Sequence, residues 1–247
     1  MHIPSRAARV LAVAALPLAL AACGSSGSSN SSNSSGSSGS KADSASSASP
    51  SKDPKAGLLT GTRLKKTLAP ASLFPTGFVA VPDGASDSGD QLLEPKGGST
   101  GKPDCTKLET TAWMSVTGAR GGVSFAQDDY MNKSKTAEIA EEVDEFSGTD
   151  ATTVLKDLRT VPAACAAFTD TDEHARVKAV GHSTPGLGDE AYTITLTSGV
   201  WDNGTTLLAA RQGTAVVTVM STAGSDNGAA TAKKIAEASL ASLKKTS

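Results

Sequence analysis

Between Gly24 and Gly57 the chain contains no Val, Leu, Ile, Met or aromatic residue. Serine dominates this stretch, with Gly, Asn and Ala. A segment that cannot bury apolar surface cannot offset the entropy of ordering its backbone. It is therefore expected to be a disordered tether of about 30 residues, with a root-mean-square span of roughly 30 Å. Any hydrophobic core must then lie C-terminal to it, over residues 56–247. That length suits one domain with a proper core. With aromatics at only 4% of the chain, the core is expected to be built from Val, Leu, Ile and Ala.

Residues 1–22 read as a signal peptide. Arg6 and Arg9 precede an apolar stretch from Val10 to Leu20, broken only by Pro17. That is the charge order and length of an exported leader, short of the about 20 apolar residues a spanning helix needs. The stretch closes on Leu20-Ala21-Ala22-Cys23, which resembles the lipobox of bacterial lipoprotein signal peptides. The resemblance implies diacylglycerol on the Cys23 thiol and cleavage before it. A lipidated Cys23 and linker (23–55) would then hold the domain at 56–247 on the outer, extracytoplasmic face of the cell membrane. Each buried methylene contributes roughly 0.8 kcal/mol, and two chains anchor stably where one does not. Without Arg6 and Arg9 the chain carries 21 basic against 25 acidic residues, a net charge of −4. That balance argues against nucleic acid as a partner and leaves membrane attachment to the lipid.

Two further cysteines, Cys105 and Cys165, lie 60 positions apart. An even pair in an exported chain is expected to form a disulfide, worth roughly 4 kcal/mol at most by chain entropy.

The pattern after Cys105 alternates strands and helices, with loops expected before it, including an exposed one over 82–103. Thr110–Thr117 alternates and predicts a strand, with Trp113 on its Thr/Ser side. Gly122–Gln127 predicts another. Ala137–Phe146 suits either a helix or a strand. Asp150 is expected to cap a helix over 151–159, and Pro162 to start a further turn carrying Cys165 and Phe168. His174–Val180 alternates. Tyr192, Ile194, Leu196 and Val200 predict one face of a strand, with the Asp202-Asn203-Gly204 hairpin turn after it. Thr205–Ala210 returns, and Thr214–Ser221 is apolar on both faces, as in the middle of a covered sheet. Asp226 or Asn227 is expected to cap a helix over 229–243. The sum is an α+β fold: a largely antiparallel sheet with packed helices.

These landmarks are Trp113 after one cysteine, a second cysteine at a helix end, the Gly-Leu-Gly-Asp-Glu-Ala loop at 186–191, a meander ending Val216-Val217-Thr218-Val219, and a C-terminal helix. In this order they resemble the PknH-like extracellular sensor domain of bacterial receptor kinases and stand-alone lipoproteins. The resemblance covers about 60–245 and implies a cleft-bearing ligand-binding domain without catalysis. Those sensors carry two disulfides; this chain has cysteines for one after Cys23.

No catalytic constellation emerges, and the chain is expected to be no enzyme, with no cofactor and no metal site. Gly181-His182-Ser183-Thr184-Pro185 departs from the G-x-S-x-G elbow at its fifth residue. His174 and His182, with acids at 170, 172, 173, 189 and 190, match no metal-ligand spacing. Trp113 and Trp201, each on a threonine-bearing strand face, are the candidate ligand-binding residues. The expected function is binding of a small ligand, lipid, glycan or envelope protein, as sensor or accessory factor. A lipid carrier or a protein-interaction and wall-structural module are the alternatives.

Overall fold

The computed structural model describes residues 55, 57–95, 98 and 101–246. The expected signal peptide, Cys23 and the tether through Pro54 lie outside the described residues.

The α+β expectation holds. One sheet contains nine strands among the described residues: β1 (Phe78–Ala80), β2 (Ser86–Asp87), β3 (Ser124–Asn132), β4 (Glu138–Glu145), β5 (Ala167–Thr169), β6 (Arg176–Ser183), β7 (Glu190–Ser198), β8 (Thr205–Gln212) and β9 (Ala215–Ser221). Their order is β1-β3-β4-β9-β8-β7-β6-β5, with β2 also on β3, and every pairing is antiparallel. The helices are α1 (Gly61–Leu64), α2 (Asp150–Leu158), α3 (Val161–Ala164) and α4 (Ala229–Thr246).

β9 sits between β4 and β8, and all seven of its residues are buried. Its alternate side chains divide the core. Ala215, Val217 and Val219 join Leu208 and Ala210 under α4. Val216 and Met220 join Leu207 and Ala209 on the opposite face, under α2 and its neighbours. α4 seats Ala232, Ile235, Ala236, Ser239, Leu240 and Leu243, an i, i+3, i+4 stripe. Asp226 caps it, its carboxylate accepting from Gly228 N at 3.2 Å and Ala230 N at 2.7 Å. Asn227 instead takes φ 60° and accepts from Gly204 N at 2.8 Å, tying the helix start to the β7–β8 hairpin.

Regular structure begins earlier than the sequence suggests. Residues 57–95 form a strap over the α4 side of the sheet that includes α1, β1 and β2. Leu59, Leu64, Ala69 and Phe74 bury there, and Phe74 stacks on Tyr130 of β3 with centroids 3.6 Å apart. The ambiguous 137–146 segment is a strand, because β3 and β9 pair with its two edges.

Four local expectations fail. Asp150 is not the cap of α2 but its first residue; Thr149 holds the cap position, without a side-chain cap bond, and the acid sits in the first turn, where it suits the helix dipole. Thr110–Thr117 is no strand; it turns into a 3-10 helix over Trp113–Thr117. Hydroxyls favour that path by bonding backward, Thr110 Oγ1 to Lys107 O at 2.9 Å and Ser115 Oγ to Ala112 O at 2.8 Å. Gly118 ends the turn at φ 66°, a left-handed cap suited to glycine. Val200 lies beyond β7 and is 56% exposed. Phe168 belongs to β5 and not to a helix.

Cys105 and Cys165 form the expected disulfide, with Cα atoms 5.5 Å apart. It fastens the turn at Cys105–Glu109 to the end of α3, and so fixes the segment that follows over the sheet.

Candidate functional site

α2 packs over β7 and β8, and α3 over β6. The same face of β3 and β4 is covered instead by the 111–122 segment. A loop held by short 3-10 turns fills that space less completely than a helix stripe does. A cavity of about 300 Å³ remains beneath it. β3 supplies Phe125 and Gln127, β4 supplies Glu142 and Asp144, and Phe146 follows. α2 contributes Val154, and the covering segment contributes Met114, Ser115 and Arg120 among others. A small adjoining hollow of about 10 Å³ touches Trp113, Gln127, Asp129, Ala140 and Glu142, room for about one water.

The strand period explains the floor. On β4, Glu142 and Asp144 are two apart and face the cavity with Phe146, while Glu141, Val143 and Glu145 face α4 and the strap. Cross-strand partners put Phe125 opposite Asp144 and Gln127 opposite Glu142. The two carboxyls hydrogen-bond each other. Burial pushes Glu142 up to about 7, and burial together with the Glu142 charge pushes Asp144 well above the usual carboxylate range. Asp129 on the same face is raised to about 7 by burial and by the charges of Glu138, Asp128 and Glu142. Two carboxylates a hydrogen bond apart cannot both ionise cheaply, so the pair retains a proton at neutral pH.

On the other face Glu141 has a different setting. It is 1% exposed, accepts from Ala69 N of the strap at 3.0 Å and bonds Ser239 Oγ of α4. Burial raises it to about 8. It holds strap, sheet and helix at one point.

The two tryptophans are not brought to one site. Trp113 is 2% exposed within the core, on the 3-10 helix rather than a strand, and touches only the small hollow. Trp201 is half-buried, donates its indole N–H to Glu173 at 2.9 Å, and lines neither cavity. Gly181–Ser183 is the end of β6, so the elbow-like stretch lacks the strand-to-helix turn. Asp170 accepts from the backbone of Asp172 and Glu173 at 2.8 and 2.5 Å, closing the β5–β6 turn. Among the described residues no group of three His, Cys, Asp or Glu is placed to hold a metal ion. The acidic floor is a candidate functional feature that no sequence motif marks. Its signal was Glu-Glu-Val-Asp-Glu at 141–145, legible as a site only once this segment is known to be an inner strand.

The strand order and the helices packed on both faces define an α+β domain built on one antiparallel sheet. No family model matches the chain, and no curated protein matches it. Among solved structures, the extracellular domain of PknH from Mycobacterium tuberculosis is similar, with a TM-score of 0.52 and 14% identity. The match covers 74% of this chain and 97% of that domain. At that identity the likeness is one of fold. Among the described residues no helix is long and apolar enough to cross a membrane.

Proposed function

We propose that this chain is an extracytoplasmic lipoprotein whose sensor-like domain binds a small ligand in the cavity between β3, β4 and the 111–122 segment. The observation that carries the reading is the cavity itself, about 300 Å³ between β3, β4, the edge of α2 and the covering 111–122 segment. Ligand sites are concave, mostly apolar and furnished with a few polar groups, and Phe125, Met114, Phe146 and Val154 around Glu142 and Asp144 fit that description. The fold likeness to an extracellular sensor domain supports the placement outside the membrane. A lipid carrier would want an enclosed apolar cavity, and two acids on the floor favour a smaller polar-headed ligand over a bare acyl chain. Binding rather than turnover is proposed, since the cavity presents no nucleophile paired with a base.

Native mass spectrometry of the secreted chain tests the binding claim. A co-purifying mass that is lost on Val154→Trp, which fills the cavity, is expected. A retained adduct in that variant would move the site elsewhere. Fractionating cells that express Cys23→Ser tests the anchor: the protein should leave the membrane for the medium.

A further inference from the structure

Resting on that reading of the cavity, we infer that its ligand is an organic cation with a compact apolar body, taken up in exchange for a proton. Four observations lead there. Asp144 is only 9% exposed and opens onto the cavity. Its hydrogen-bonding side-chain neighbour is a second acid, Glu142. No ion pair among the described residues reaches either carboxyl, and Arg120, which also lines the cavity, is exposed and makes none with them. The surrounding wall is apolar, with Phe125, Phe146 and Met114.

Buried acids are ordinarily matched by a cation or by donors from the backbone. Glu141, one residue away, shows that arrangement, with Ala69 N and Ser239 Oγ. The cavity pair lacks it, and its proton occupies the place where a counter-ion belongs. An ammonium group seated there would donate charge-assisted hydrogen bonds to both carboxylates, and the shared proton would leave to solvent. Beside the pair, Asp129 on β3 shares the small hollow with Glu142 and interacts with its charge, and Arg120 on the covering segment lines the cavity. The acid reinforces the preference, and the arginine opposes it. A bare divalent metal ion fits poorly, because no three ligating side chains converge among the described residues. Phenyl rings around an ammonium add cation–π attraction.

The test uses the full chain from residue 23 with Cys23→Ser, so that no acyl chain competes. Calorimetry would compare three probes of similar size at pH 7.5: phenethylammonium, 2-phenylethanol and 3-phenylpropionate. The ammonium is expected to bind at least about tenfold more tightly than the alcohol. Its heat should change with the buffer's ionisation enthalpy, reporting about one proton released. The Glu142→Gln/Asp144→Asn variant should lose both the preference and the proton release while still binding the alcohol. Tighter binding of the propionate, or a preference that survives in that variant, overturns the cation inference and leaves the cavity reading standing. If none of the three probes binds, both fall.

Discussion

Glu141→Gln is predicted to remove a large pH dependence of this fold. Folding carries Glu141 from exposure to 1% exposure, and its ordinary value of 4.5 rises to about 8. Desolvation is the main cause; the Ser239 and Ala69 bonds pull the other way. A carboxyl raised by folding keeps its proton in the native state where the unfolded chain has already lost it. Its contribution is therefore full below about pH 4.5, declines as pH rises through the window to about 8, and is gone above it. At about 1.4 kcal/mol per pH unit, that window amounts to about 5 kcal/mol. Glutamine has the shape of the protonated acid. Its carbonyl can accept from Ala69 N, its amide can donate to Ser239 Oγ, and it cannot ionise. Urea melts of both proteins at pH 5, 7 and 9 give the difference directly, free of the shared slope from Asp128, Asp129, Glu142 and Asp144. The variant should gain on the wild type by several kcal/mol between pH 5 and pH 9. In a domain of this size that is about 10–15 °C in Tm. A stability difference equal at pH 5 and pH 9 would refute the claim that Glu141 is protonated in the folded chain.

Three further outcomes are expected. Reducing the Cys105–Cys165 bridge, or replacing both cysteines with alanine, should cost about 2–5 kcal/mol in denaturant melts and loosen the 111–122 segment, read by faster amide exchange there. Trp113→Ala should destabilise the domain by about 3–5 kcal/mol as a core truncation, while Trp201→Ala should leave the affinity of a cavity ligand unchanged by calorimetry, since it lines neither cavity. Asp226→Ala should cost about 1 kcal/mol in thermal melts by uncapping α4.

What was readable from the chain divides along physical lines. β9 and α4 carry their own signals, an apolar run on both faces and a 3.6-period stripe with a capping acid, and both appear where expected. The disulfide followed from compartment and cysteine count. Thr110–Thr117 misled because its alternation is real, yet hydroxyl bonds to carbonyls three residues back offer a shorter-range competitor to pairing. The strap at 57–95 reads only as a loop with apolar anchors at Leu68, Leu73, Phe74 and Phe78, all of which pack in or against the core; its short elements have no period to detect between the prolines and glycines. The candidate site was hidden for a related reason. Acids on a segment of uncertain type read as solvated surface, and only pairing with β3 and β9 puts them inside.

β4 then poses a problem that its two faces answer differently. A central strand carrying Glu141, Glu142, Asp144 and Glu145 is less stable than one with apolar residues at the same places, because each acid must be desolvated or held neutral. On the α4 face the acids have partners. Glu141 takes the strap and the helix together, and Glu145 bonds Thr214 at the start of β9. Those contacts specify how the strap, sheet and helix meet, and they account for the acids without any ligand. On the cavity face Glu142 and Asp144 interact with each other and make no ion pair with any described residue. The side chains around them, Phe125, Phe146 and Val154, are apolar. Destabilising polar groups with no structural partner concentrate at functional sites. The contrast between neighbouring residues of one strand is therefore the reason to place binding on the cavity side and architecture on the other.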